Sequence, residues 1–202
     1  MKSVKNSNLI VGITGPIGSG KSTVLNYFKT NGFPTISADE VNKNILKVKK
    51  HIININELMF NSKDDRLDKG QIKELIFKEP SKKKILENYL HPLIISEIKS
   101  LTKKTNKITF VEAALLYESG FDKDVDLVIG VIADKEVIVK RLKDRDNLTG
   151  SMIEDILKTQ KNQEFLKDNV NYLVNNSGSK EETNKQLEVI LREIMEVNNG
   201  NL

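Results

Sequence analysis

Apolar runs of strand length alternate along this chain with stretches whose apolar residues recur at helical spacing, an order that predicts a parallel sheet wrapped by helices. Leu9–Thr14 reads as a buried first strand, and Ser22–Lys29 as the helix after it, with Val24, Leu25 and Phe28 on one side. Gly32 closes that helix and Phe33–Ala38 supplies the second strand. Strand character returns at Ile108–Val111, Leu127–Ala133 and Val170–Val174, with a helix expected over Lys135–Lys143. Two capping-box spacings open further helices, because a serine can cap a backbone amide while a glutamate three residues on reaches back. Ser151–Glu154 leads into a face of Ile153, Ile156 and Leu157, and Ser179–Glu182 into a final helix with Leu187, Ile190, Leu191 and Ile194 inward.

The middle of the chain differs. From Glu40 to about Lys107 the pattern is mostly helical, with no convincing long strand. Ile72, Leu75 and Ile76 form one stripe before Pro80. Ile85, Leu86, Tyr89 and Leu90 form another before Pro92, and Ile94, Ile95, Ile98 and Leu101 continue beyond it. His91 precedes Pro92, which restricts it to extended backbone and marks a break between two helices. The stretch reads as a helical insertion over one edge of the sheet, the natural place for a substrate subdomain.

Gly15-Pro16-Ile17-Gly18-Ser19-Gly20-Lys21-Ser22 fits the pattern G-x-x-x-x-G-K-[ST] without mismatch, between an apolar strand and an amphipathic helix as that loop requires. Glycines let successive backbone N–H groups converge on phosphate oxygens, and the helix opening near Lys21 adds its positive dipole end. Lys21 is then expected to bridge the β- and γ-phosphates of ATP, with the Ser22 hydroxyl on Mg²⁺. Thr23 completes the expected ATP-binding segment, residues 15–23. The expected fold class is α/β: a P-loop three-layer sandwich with a five-stranded parallel sheet.

Composition narrows the remaining classes. A chain of 202 residues suits one α/β domain with an inserted subdomain, and its 38% hydrophobic residues suffice for a core. No stretch approaches the roughly 18–20 apolar residues of a membrane helix. Met1–Asn8 is polar, without the apolar core of a signal peptide, so a cytoplasmic protein with no membrane partner is expected. With no cysteine, disulfides, cysteine nucleophiles and thiolate metal sites are excluded, and two histidines make a transition-metal centre an unattractive reading. The net charge of +4 comes from lysines scattered among acids; Lys47, Lys49 and Lys50, and Lys82–Lys84, read as solvated helix faces. Aromatics are sparse and no recognition module is visible, so no nucleic-acid partner is expected. Positive potential also suits polyanionic small substrates.

A P-loop alone does not separate kinases from switches, motors or transporters, so the acceptor side must decide. Asp39 ends the expected second strand, where the carboxyl ends of parallel strands face the ligand crevice. There it can accept a proton from an attacking hydroxyl or hold it in line, or it can cap the next helix. Arg141 and Arg145 lie four apart on one helix face, placed either to clamp a transferring phosphoryl group or to form a solvated basic face with Asp144 and Asp146.

Read together, these blocks resemble the dephospho-coenzyme A kinase family from about Leu9 to Gly178. The resemblance rests on Ile10–Thr23, on Ser37-Ala38-Asp39, on Asp68-Lys69 through Phe77, and on Leu90-His91-Pro92-Leu93-Ile94. Further on it rests on Leu115-Leu116-Tyr117-Glu118, on Arg141-Leu142 with Arg145-Asp146 followed by Gln160, and on Asn176-Ser177-Gly178. The loop is generic, whereas the His-Pro block, the arginine pair and Gln160 in this order are specific.

The resemblance implies phosphoryl transfer from ATP to the ribose 3′-hydroxyl of dephospho-coenzyme A. It makes Asp39 the base or hydroxyl-orienting group, and Lys21, Arg141 and Arg145 its catalytic companions, with Arg145 also on ATP. It adds Thr14, His91 and Glu118 to Asp39 on the substrate side. It also implies a core of residues 8–40, 107–140 and 168–202, a substrate-binding insertion over 41–106, and a small helical lid over 141–167. Ser37, Lys69, Ala113 with Ala114, and Asn171 depart from the family's usual aspartate, arginine, proline and aspartate. The rival readings are a nucleoside or nucleoside-monophosphate kinase, and a regulatory switch coupling ATP to a partner protein. No obligate protein partner is evident in the sequence.

Overall fold

Ile10–Thr14 forms β1, whose Val11 and Ile13 are fully buried, as expected of a strand covered on both faces. Gly12 between them lets Leu116 and Val125 approach closely, since a Cβ there would lie 3.3–3.4 Å from their side chains. β1 is the middle strand of a five-stranded sheet, flanked by β3 (Thr109–Glu112) and β4 (Leu127–Ile132). β2 (Thr35–Ser37) and β5 (Tyr172–Asn175) complete the order β2-β3-β1-β4-β5. The pairings of β1 with β3, β1 with β4, and β4 with β5 are parallel. The computed structural model describes residues 9–105, 107–146 and 163–198, without the side chains of Arg145 and Asp146. The Ser151–Glu154 capping box, its face of Ile153, Ile156 and Leu157, Gln160 and the polar Met1–Asn8 lie outside the described residues.

Two compact units emerge: one of residues up to Ile36 and from Thr102 onward, the other of Ser37–Leu101. In the first, α1 (Lys21–Thr30) and α8 (Lys180–Asn198) supply the apolar cover of the sheet. Phe28 of α1 stacks on Phe110 of β3 with ring centroids 3.6 Å apart, and Phe33 meets the same ring edge-on at 5.5 Å. Leu187, Ile190 and Ile194 of α8 are buried in the same core, one turn apart on one face. The helix opens on the expected capping box: the Ser179 N–H donates to the Glu182 carboxylate at 2.7 Å, and the Glu182 N–H donates to Ser179 Oγ at 3.2 Å. That backbone bond holds the Glu182 carboxyl below its usual range. α6 (Lys135–Asp146) and α7 (Gln163–Asn169) are the other described helices of this unit.

Polar side chains fix where the strands start. Asp126 accepts from the Ile10 N–H at 2.7 Å, and Asn171 accepts from the Val128 N–H at 2.8 Å. Asn171 stands where an aspartate is common in the resembled family; the bond needs only an acceptor oxygen, which an amide also provides.

The second unit contains α2 (Ala38–Ile45), α3 (Lys49–Phe60), α4 (Lys69–Lys78) and most of α5 (Pro80–Thr105). Ile55, Met59 and Ile72 are its buried centre, with Leu75, Ile76, Leu86, Tyr89 and Leu90 packed against them. Buried Asn56 donates to the carbonyls of Asp64 and Arg66, both at 2.8 Å, and so anchors the turn leading to α4. Asp68 then caps α4 by accepting from Gly70 and Gln71.

Two expectations need correction. The second strand ends at Ser37, not Ala38, and Asp39 lies in the first turn of α2. Ser37 has extended backbone and acts as the N-cap, and carboxylates at Asp39 and Glu40 favour the positive end of the helix dipole. The break expected at His91-Pro92 is absent: α5 runs through Pro92 for 26 residues. A proline removes one helical N–H bond and strains one turn. Here long apolar-striped flanks on both sides carry the helix past it, and buried Ile98 lies beyond the proline.

Removing the stacked ring at the core should be costly. Phe110→Ala is expected to lower unfolding free energy by about 3–5 kcal/mol, read by urea titration; a loss below about 1 kcal/mol would show that the stack is not a main support.

Candidate active site

β1 delivers the chain at Thr14 into the loop Gly15–Gly20, and α1 starts at Lys21. Gly15 and Gly20 have φ of 153° and 95°, and neither tolerates a side chain. A Cβ on Gly15 would lie 2.2 Å from the Val131 carbonyl oxygen, and one on Gly20 would lie 1.9 Å from Asn176 Nδ2. A turn inside the loop is closed by the Ser19 N–H donating to the Pro16 carbonyl at 3.2 Å. Lys21 is buried, its ammonium donating to the carbonyls of Gly15 at 2.9 Å and Pro16 at 3.1 Å. Ser22 and Thr23 are exposed in the first turn of α1, which carries no acidic residue. That helix end therefore offers positive potential and free hydroxyls to an anion. Ser19 Oγ is fully buried and makes no hydrogen bond, a donor left over inside the loop.

The rear of the loop is held by α6 and by the segment after β5. Arg141 donates from Nη1 to the carbonyls of Gly18 and Ser19, each at 3.2 Å, and from Nη2 to the Asn176 carbonyl at 2.8 Å. Asn176 Nδ2 donates to the Ser19 carbonyl at 2.7 Å, and its Oδ1 accepts from Thr183 Oγ1 at 2.9 Å. Neither alternative weighed for Arg141 from its spacing, a phosphoryl clamp or a solvated basic face, describes these bonds to the loop's own backbone. Arg145 follows one turn later in α6, with its side chain outside the described residues. Nothing in the sequence singled out Thr183, and Asn176 stood only within a matching block.

Other groups gather at the carboxyl ends of β1, β4 and β5. Thr14 is buried, with its hydroxyl 3.5 Å from the Ala114 carbonyl. The Asp134 N–H donates to Ser177 Oγ at 2.8 Å, and the Gln163 amide pairs with both backbone groups of Ala133. Glu118 is exposed in the turn after β3. Its neighbour Tyr117 donates to the Asn169 carbonyl and meets Phe165 edge-on at 5.0 Å. Burial pushes the Tyr117 phenol up, and the Asp122 carboxylate adds to the shift. Asp39 and His91 belong to the other unit, Asp39 in the first turn of α2 and His91 half-buried inside α5. Among the described residues no group of three or more His, Asp or Glu could hold a metal ion, and no helix is long and apolar enough to cross a membrane.

The loop is shared by many enzymes, so its relatives decide. Residues 9–182 match the dephospho-CoA kinase family model. The chain belongs to the dephospho-CoA kinase family. Among curated members, the dephospho-CoA kinase of Fusobacterium nucleatum is 34% identical over 186 residues, covering 90% of this chain and 96% of that protein. The dephospho-CoA kinase of Coxiella burnetii is 39% identical over 162 residues, covering 77% and 81% respectively. The solved dephospho-CoA kinase from Campylobacter jejuni superposes with a TM-score of 0.67 at 28% identity, over 98% of this chain and 100% of that one. Family membership thus accounts for the strand–loop–helix geometry and for the blocks beyond it.

Gly20→Ala tests whether the loop geometry matters as built. The variant should lose at least about 100-fold in affinity for a non-hydrolysable ATP analogue by calorimetric titration, because the added methyl must displace the Asn176 amide at a strained φ. Unchanged affinity would mean that the loop does not carry the phosphates.

Proposed function

We propose that this chain transfers the γ-phosphoryl group of ATP to the ribose 3′-hydroxyl of dephospho-CoA, producing CoA in the last step of its biosynthesis. The observation that carries the reading is the family match across residues 9–182, which includes both the phosphate loop and the acceptor-side blocks. The rival readings, a nucleoside kinase and a regulatory switch, have no comparable support.

The residue roles follow from chemistry available at each position. Backbone N–H groups of the loop, that of Gly20 among them, and the amino end of α1 receive the β- and γ-phosphates of ATP, with the spare Ser19 hydroxyl as a further donor. Lys21, now bonded to two loop carbonyls, supplies the charge that bridges those phosphates. Ser22 is the group that would hold Mg²⁺, together with phosphate oxygens; its exposed hydroxyl suits a hard cation that keeps most of its waters. Such an ion, when bound, neutralises charge on the transferring group.

The 3′-oxygen attacks the γ-phosphorus as the bond to the β–γ bridging oxygen breaks, and ADP leaves. Asp39 orients the hydroxyl or takes its proton. Thr14, His91 and Glu118 are assigned to the acceptor, Pro16, Ile17, Gly18 and Thr23 to the ATP segment, and Arg145 to the phosphates on the ATP side. The segment 41–106 is read as the acceptor-binding insertion and 141–167 as a lid over a core of the remaining parts. Closure of such a lid would exclude water, which otherwise competes for the γ-phosphate. The reaction belongs in the cytoplasm, where ATP is supplied.

Coupled ADP release with MgATP should depend on added dephospho-CoA, and the product should be heavier by one phosphoryl group. Release that ignores the acceptor would defeat the reading. Lys21→Met should lower kcat by at least about 100-fold without unfolding the protein. Asp39→Asn should lower acceptor-dependent turnover about 10²–10⁴-fold while leaving binding of the ATP analogue intact; turnover near that of the parent protein would remove Asp39 from its role.

A further inference from the structure

The Ser19–Gly20 peptide is the last unit of the loop before the helix, and its carbonyl accepts two donors from behind: Asn176 Nδ2 at 2.7 Å and Arg141 Nη1 at 3.2 Å. In a trans peptide the carbonyl and the N–H point in opposite directions. Holding the Ser19 carbonyl toward Asn176 therefore turns the Gly20 N–H the other way, out of the protein's rear wall. The approach needs a glycine, since a Cβ on Gly20 would come within 1.9 Å of Asn176 Nδ2.

The Asn176 amide is itself aimed. Its backbone N–H is committed to the Ile132 carbonyl at 2.8 Å, continuing the β4–β5 ladder, so the side chain is not needed to end the strand. Its Oδ1 accepts from the hydroxyl of Thr183, a fully buried residue in the first turn of α8 whose Oγ1 also lies 3.1 Å from the Ser179 carbonyl. With the oxygen engaged there, the NH₂ end is left facing the Ser19 carbonyl. A flipped amide would set its oxygen against the Ser19 carbonyl oxygen, an arrangement with a real free-energy cost.

We propose that Asn176 and Thr183 are positioning residues for nucleotide binding: the Thr183 hydroxyl anchors the far end of the Asn176 amide, and Asn176 so anchored holds the Gly20 N–H toward the phosphate chain. The proposal rests on the reading of residues 15–23 as the ATP site, and on nothing about the acceptor. It makes the amino end of the C-terminal helix part of the phosphate site through a relay of two hydrogen bonds.

Two nearly isosteric variants separate positioning from packing. Thr183→Val removes the hydroxyl and keeps the shape; Asn176→Asp keeps the acceptor for Thr183 but removes the donor to Ser19. Binding of a non-hydrolysable ATP analogue is measured by calorimetry, and both KM values are measured in the coupled assay. Thr183→Val should weaken analogue binding and raise the KM for ATP about ten-fold, with the KM for dephospho-CoA held within about two-fold. Asn176→Asp should do the same more severely, and Thr183→Ser should restore binding to within about two-fold of the parent protein. The proposal fails if folded Thr183→Val binds the analogue like the parent protein, or if Thr183→Ser is as weak as Thr183→Val. It fails also if the two KM values rise together. Should Asn176→Asp not fold, the Thr183 pair decides alone. Absence of any acceptor-dependent turnover in the parent protein would overturn the assigned reaction, and analogue binding would still judge the relay.

Discussion

The Gly15 α-carbon passes so near the Val131 carbonyl that any side chain there would drive a carbon to within 2.2 Å of its oxygen. That approach is possible only because β1 and β4 are adjacent, parallel and in fixed register, with Thr14 opposite Gly130. The position of the loop is thus set by sheet pairing before any ligand is considered. Everything the site offers follows from it: the start of α1, the inward Lys21 and the exposed Ser22. A phosphate loop is often described by its glycines, but here the glycines matter because of what stands beside them. Val131 limits the first and Asn176 the last.

The core explains why that register holds. β1 has apolar neighbours on both sides, and the Phe28–Phe110 stack ties α1 to β3, so the helix that follows the loop is anchored to a different strand from the one that precedes it. α6 closes the other side, where Ile138 and Leu142 pack close enough to Gly18 that a Cβ there would lie 3.0–3.2 Å from them. The loop is consequently held at its rear through the Gly18 and Ser19 carbonyls, which turns the Gly20 N–H to the opposite side, the polarity required for an anion site.

Much of this was legible in the sequence. All five strands could be read from apolar runs because a parallel sheet with both faces covered leaves few polar interruptions. The final helix could be read because its capping box and inward face agree with each other. Where reading from the sequence fell short, a local rule met a tertiary context. At His91-Pro92 the proline rule pointed to a break, but one lost hydrogen bond does not end a helix with long flanks on either side. At Ala38-Asp39 a residue that looked like the end of a strand proved to open a helix, because Ser37 and the two following carboxylates suit a first turn. The links from Arg141, Asn176 and Thr183 to the loop were not legible at all. They join positions more than 120 residues apart in the case of Arg141, and no spacing rule relates them.

The middle strand of the sheet is also the earliest in the chain. β1 leaves the ribosome with no neighbour to pair with, since its register partners Thr109–Glu112 and Leu127–Gly130 are made about a hundred residues later. The whole of Ser37–Leu101 is synthesised in between and can settle its own helices around Ile55 and Ile72 while β1 waits. Pairings of such long sequence separation are the slow steps of folding, because the loop entropy is lost before the contacts repay it. The phosphate site is therefore encoded near the start of the chain but completed among the last, when β4 closes against the free edge of β1 and β5 then pairs with β4. A nascent chain stopped before Leu127 would carry the entire glycine-rich motif and still lack the wall that gives it shape.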